Sequence, residues 1–160
     1  MENKVISRLI SPIVKREWSK EGKRIGFTEE MILEVTPEFY QYAESIGETW
    51  NEHQEIYRKM CEELTGTQWA KLMGKKIFYI HTIKLEEENR GKGYGKKILK
   101  QLEQYAKNEK VDKIFLVIED LDEMTDTEKE KEIKEKKLEK WFSKNGYIVQ
   151  EKKERTYMSK

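Results

Sequence analysis

The six residues Arg90-Gly91-Lys92-Gly93-Tyr94-Gly95 combine backbone freedom with positive charge, a pairing that suits phosphate binding. Glycines at alternate positions let the main chain approach a ligand closely. A helix is expected from Lys96 onward. Its first amides have no partner within the helix and carry partial positive charge, so anions bind there favourably. Arg90, Lys92, Lys96 and Lys97 add four formal charges at an end that normally prefers acidic side chains. That conflict between local rules argues for an anionic partner. Turns of this composition also occur without ligands, so the loop by itself is weak evidence. Two phosphate motifs are excluded directly. The stretch lacks GxxxxGK[ST], and GxGxxG fails because the glycines alternate and Ile98 stands where the last would fall.

The elements that must position this loop are legible around it. Ile77 to Leu85 (IFYIHTIKL) is rich in β-branched and aromatic residues and reads as a strand. After the loop, Ile98, Leu99, Leu102, Tyr105 and Ala106 share one helical face. Ile114 to Ile118 (IFLVI) is an apolar run suited to a strand buried on both faces. Strand, loop, helix and strand form a βαβ unit whose two strands should be parallel. Glu128 to Lys140 is nearly all charged and reads as a solvated helix, with Leu138, Trp141 and Phe142 as its buried edge. Asn145-Gly146 should end it through a left-handed cap. Tyr147-Ile148-Val149 and Thr156-Tyr157-Met158 then suggest a closing hairpin.

The first half is less regular. Val5 to Val14, interrupted by Pro12, suggests a strand and a turn. Met31 to Thr36 is a better strand, and Thr36-Pro37-Glu38 reads as a cap and the first turn of a helix. Trp50, Ile56, Tyr57, Met60, Cys61 and Leu64 form a stripe of helical period that Gly66 stops.

A length of 160 residues fits one domain. Charged residues make up 39% of the chain and mean hydropathy is −0.94, yet the apolar residues are grouped into elements rather than scattered. The 32 basic and 31 acidic residues leave a net charge of +1, which argues against a global field recruiting nucleic acid or membrane. Cys61 is the only cysteine, which fits a reducing compartment. No signal-like or membrane-spanning stretch is present, so the chain is expected to be soluble and cytoplasmic.

Taken together, residues 77–160 resemble the GNAT acetyltransferases. Arg90 to Gly95 satisfies their (Q/R)xxGx(G/A) signature, IFYIHTIKL corresponds to their fourth strand, and Trp141-Phe142-Ser143-Lys144-Asn145-Gly146-Tyr147 with Tyr157-Met158-Ser159-Lys160 is similar to their closing pattern. The resemblance implies an α/β fold: a mixed, twisted central sheet with a splayed parallel strand pair, flanked by helices. It implies a single domain over 1–160, with 1–76 the divergent acceptor-side half and 77–160 the acetyl-CoA-binding half. It implies acetyl transfer from acetyl-CoA to a primary amine by direct attack on the thioester, without a metal. Ile83, Lys84 and Leu85 would face the pantetheine arm, and Arg90, Gly91, Lys92, Gly93, Tyr94, Gly95 and Lys96 would hold the pyrophosphate.

An amine of pKa near ~10.4 is mostly protonated at neutral pH, so a base or water chain helps. His81, nine residues before Arg90, and Tyr79 on the same strand face are the base positions, with Glu119 as an alternative carboxylate. A strand histidine is more often a packed residue, and structural exposure explains Glu119 almost as well. The family's leaving-group tyrosine corresponds here to Phe142, which cannot donate a proton, and Tyr147 is carried over only weakly. There is little room between residue 64 and the Ile77 strand for the usual second and third strands. Residues 1–36 supply replacements, or the sheet is reduced.

The acceptor could be a small molecule or a protein amine. Glu44, Glu48, Glu52, Glu55, Glu62 and Glu63 suit a cationic one but also suit a solvated helix face. A homodimer is an open option. A non-catalytic CoA-binding or protein-interaction module is the alternative function, and nucleic-acid binding through the Arg90–Lys100 cluster is disfavoured by the balanced charge.

Overall fold

Two residues, Glu21 and Gly22, join the first strands, and both adopt left-handed backbone (φ 53° and 78°). Such a two-residue turn matches the twist of an antiparallel hairpin. It links β1 (Val14–Lys20) to β2 (Lys23–Glu34). The computed structural model describes residues 13–45, 58–60, 63–118, 127–152 and 155–160. After β2 come α1 (Pro37–Ser45) and α2 (Gly66–Leu72), then β3 (Lys76–Leu85). A single 3₁₀ turn (Glu87–Asn89) leads into α3 (Tyr94–Asn108) and β4 (Lys113–Ile118). The chain closes with α4 (Glu128–Lys144), β5 (Ile148–Lys152) and β6 (Thr156–Ser159).

The six strands form one sheet in the order β1-β2-β3-β4-β6-β5. Among the described residues only β3 and β4 pair in parallel, as a βαβ unit requires, and the other pairings are antiparallel. The mixed α/β architecture read from the sequence is therefore the one observed. The strand expected over Met31–Thr36 is the end of a longer β2, and residues 14–34 supply two strands ahead of the helices. Of the helix expected between Trp50 and Leu64, residues 58–60 and 63 are helical. Leu64 is a buried bend, and the rest of that helix, with Cys61 and Val5 to Pro12, lies outside the described residues.

Each face of the sheet buries its own core. Met31, Leu33, Ile77, Tyr79, Phe115 and Tyr157 point toward α1 and α2, where they meet Phe39, Trp69 and Leu72. Phe78, Ile80, Leu116 and Met158 point the other way, against Ile98, Leu99 and Leu102 of α3 and Phe142 of α4. The amphipathic stripe of α3 is what covers this second face. Helix α4 begins with a capping box in which the Thr127 hydroxyl accepts from the Glu130 amide and the Glu130 carboxylate accepts from the Thr127 amide. It ends at Gly146 with φ 94°, the expected left-handed position.

Gly26 is where β2 comes nearest the end of β3. A Cβ there would lie 2.1 Å from the Lys84 carbonyl oxygen and 2.9 Å from Leu85 Cα, both main-chain atoms that cannot swing aside. Gly26→Ala is therefore expected to cost about 1–3 kcal/mol, as overpacking does. At a few degrees per kcal/mol for a chain of this size, that lowers the melting temperature by roughly 5 °C in calorimetry. Gly66→Ala, where the Cβ meets nothing within 4 Å and the backbone is not left-handed, should lose less.

Candidate active site

The parallel ladder between β3 and β4 runs from Ile77 opposite Lys113 to Ile80 opposite Leu116 and stops there. Both strands continue, β3 to Leu85 and β4 to Ile118, while β4 stays paired with β6 through Ile118 opposite Thr156. The two strands thus part company at their C-terminal ends. An irregularity accompanies this on the other side of β3. The β2 register jumps between Glu29, opposite Thr82, and Glu30, opposite Ile80. His81 is the extra residue of a β-bulge, which bends and twists its strand. Burial carries the same mark. Phe78 and Ile80 share a core with Ile83 and Leu85, so the alternation of faces changes parity across residues 81 and 82.

The end of β3 delivers the chain into the glycine loop. Arg90 Nε donates to the Leu85 carbonyl at 3.2 Å, folding the loop back on the strand that precedes it. The β1–β2 hairpin steadies it from the side. The Glu86 amide donates to the Ile25 carbonyl at 2.8 Å, Asn89 Nδ2 reaches the Arg24 and Ile25 carbonyls at 3.4 Å, and Arg24 pairs with Glu86 at 3.5 Å. Gly91 and Gly93 have φ of 78° and 81°, and a Cβ at either would meet nothing within 4 Å. Gly93 caps α3 with no side-chain hydrogen bond, and the first turn holds no acidic residue. Gly95 differs in lying under side chains: a Cβ there would stand 3.5 Å from Leu85 Cδ1 and from Trp141 Cζ2, ordinary contact distances that leave room for it. The result is an exposed turn of glycine backbone that runs into the first amides of α3, and Arg90, Lys92, Lys96 and Lys97 in and beside it are all exposed. Lys20 Nζ stands 5.3 Å from the Tyr94 ring centroid, bringing a further cation from β1. This chemistry fits a phosphate or pyrophosphate group.

The acetyltransferase (GNAT) family model matches residues 14–127. The chain belongs to the GNAT acetyltransferase family. Among solved structures, mosquito arylalkylamine N-acetyltransferase like 5b shares 12% identity at a TM-score of 0.56, over 86% of this chain and 68% of that one. Arylalkylamine N-acetyltransferase 2 from Aedes aegypti shares 16% at 0.52, over 89% and 69%. The PaiA N-acetyltransferase from Thermoplasma acidophilum, in complex with coenzyme A, shares 13% at 0.50, over 92% of this chain. This chain spans 60% of that protein's length. At such identities the likeness is one of fold. No curated protein matches the sequence.

Within this GNAT chain, Tyr79 and His81 lie together on the α1–α2 face, their rings nearly parallel with centroids 6.4 Å apart. His81 Nδ1 is 3.1 Å from Thr82 Oγ1, a hydrogen bond whose donor is set by the ring tautomer. Ile83 and Leu85 turn half-buried toward α3, beside Trp141. Glu119 lies outside the described residues. Tyr147 is buried elsewhere. Its hydroxyl donates to Glu103 at 3.1 Å and its ring packs edge-on against Phe142. Burial, followed by the Glu103 charge and hydrogen bond, holds the Tyr147 phenol far above its usual range.

Sequence reasoning missed Asn89, Lys20 and the role of Trp141 against Gly95. Trp141 was legible as part of a buried helix edge, but nothing in the chain announces which loop it touches. Among the described residues, no helix is long and apolar enough to cross a membrane, and no cluster of His, Cys, Asp and Glu is arranged to hold a metal ion.

Proposed function

We propose that this protein transfers an acetyl group from acetyl-CoA to a primary amine. The observation that carries the reading is the ladder that ends at Ile80 and Leu116, with β3 running five residues further into the glycine loop. An extended thioester arm laid along Ile83, Lys84 and Leu85 would extend the sheet as an added strand does. Its pyrophosphate would then meet the amides and cations of Arg90, Gly91, Lys92, Gly93, Tyr94, Gly95 and Lys96. His81 serves as the base that takes the ammonium proton, directly or through water. Tyr79 beneath it is the second base position. A main-chain amide at the bulge would stabilise negative charge developing on the carbonyl oxygen. Residues 1–160 act as one domain, with 1–76 forming the acceptor side, and the single cysteine supports a cytoplasmic location.

Calorimetric titration with acetyl-CoA tests this reading, and no heat or competition at millimolar ligand would sink it. Gly93→Ala sharpens the test. A side chain in left-handed backbone costs about 1–2 kcal/mol. Acetyl-CoA affinity is expected to fall about tenfold, the equivalent of ~1.4 kcal/mol, while the open space around that Cβ lets the fold survive.

A second reading, a CoA-binding module without catalysis, draws on the proton that the departing thiolate needs. Phe142 has none to give, and the Tyr147 proton is engaged by Glu103. Thiol release from acetyl-CoA across a panel of amines, abolished by His81→Ala, would exclude that module.

A further inference from the structure

A run of four rings crosses the sheet beneath the splayed end. His81 stacks on Tyr79 with centroids 6.4 Å apart, Tyr79 on Phe115 at 6.1 Å, and Phe115 on Tyr157 at 5.6 Å, with interplanar angles of 27°, 28° and 27°. Three strands contribute, because Tyr79 is paired with Phe115 across β3 and β4, and Val117 with Tyr157 across β4 and β6. Tyr79, Phe115 and Tyr157 are fully buried. His81, at the bulge, is the ring at the opening.

The far ring is anchored by charge. Arg155 Nε donates to both Glu63 carboxylate oxygens, at 3.1 and 3.0 Å, and Arg155 Nη2 donates to the Tyr157 hydroxyl at 2.9 Å. The Tyr157 hydroxyl donates in turn to Glu63 Oε2. Glu63 is 6% exposed and Arg155 9%. The Tyr157 phenol is held far above its usual range by burial first and by Tyr79 beside it, so it stays neutral and keeps its donor. Ion pairs this deep are poor sources of net stability compared with apolar side chains of the same volume, and fixed geometry is the better-supported reason to keep one.

We propose that Glu63, Arg155 and Tyr157 form a positioning network for His81, acting through Phe115 and Tyr79. A bulge loosens the backbone that carries His81. The ring stack supplies from below the constraint that regular pairing would otherwise give. The network ties residue 63, on the acceptor side, to the strand beside the splay, so the imidazole plane is set relative to both. This rests on the reading of His81 as the residue facing the amine, and its test separates the two.

The chain has two histidines, His53 and His81, so imidazole NMR of the full-length ¹⁵N-labelled protein resolves each, with His53→Asn for assignment. Tyr157→Phe keeps the far ring and removes only its anchor, three rings away from His81. Glu63→Gln removes the charge. Each is expected to shift the His81 ring resonances or its tautomer balance. Leu102→Ala, which destabilises the opposite core, should leave them in place. In the thiol-release assay both network variants should lower kcat about tenfold or more, with KM for acetyl-CoA within about twofold, as misplaced catalytic groups do. Unmoved His81 resonances in folded Tyr157→Phe and Glu63→Gln would overturn the proposal whatever their activity. Moved resonances with unchanged kcat would leave the coupling standing and sink the catalytic role of His81 instead.

Discussion

Replacing His81 with alanine is expected to lower kcat for amine acetylation by a hundredfold or more while leaving acetyl-CoA affinity within about twofold. A positioned base is worth roughly 10²–10⁴ in rate, because the attacking amine must shed a proton that neutral water takes up poorly. On the proposed reading, acetyl-CoA binding rests on other groups, chiefly the β3 backbone beyond the bulge and the loop from Arg90 to Lys96. The His81 side chain points instead to the α1–α2 face, where its ring lies over Tyr79. The two parameters should therefore separate: kcat falls and the calorimetric affinity holds. Raising the assay pH toward the amine's own pKa should recover part of the loss, since more of the acceptor is then already deprotonated. Equal losses in affinity and rate would instead assign His81 to the binding surface. An unchanged kcat would point to a water chain or to a residue outside those described as the base.

How far the chain discloses this arrangement depends on where the governing interactions lie. The segment from Ile77 to Ile118 was legible because its signals are local. Apolar β-branched runs, three glycines and a stripe of helical period each fit within about fifteen residues, and they agree with one another. The β1–β2 hairpin was not. Residues 14–30 read as mostly charged because β1 is an edge strand with exposed side chains. On its buried face the chain places Glu30, which Arg16 and Thr28 satisfy, where a hydrophobic residue would have advertised the strand. The turn is equally quiet, since a glutamate occupies a left-handed position that favours Asn, Asp or Gly. The bulge at His81 was beyond reach for a different reason. It is a mismatch between two strands roughly fifty residues apart, and neither strand shows it alone.

The Glu63–Arg155 pair has the same long-range character, and it carries the largest expected effect on stability. Its members are 92 residues apart in sequence and join the helical segment that precedes α2 to the start of β6. Arg155→Met removes the guanidinium and leaves the Glu63 carboxylate buried, with the Tyr157 hydroxyl still donating to it. An uncompensated charge at such a position costs about 3–5 kcal/mol. At about 2–4 °C per kcal/mol for a chain of this length, melting should fall by roughly 10 °C. Glu63→Met alone should cost less, because the longer guanidinium can reach toward solvent. Combining the two replaces the pair with apolar volume, for which the expected change is close to neutral or even stabilising. The double variant should therefore be more stable than Arg155→Met alone, a non-additivity that a double-mutant cycle in urea reads directly. If the two single losses simply add, the carboxylate is not the source of the damage. The cavity left by the arginine stem would then account for most of the lost stability.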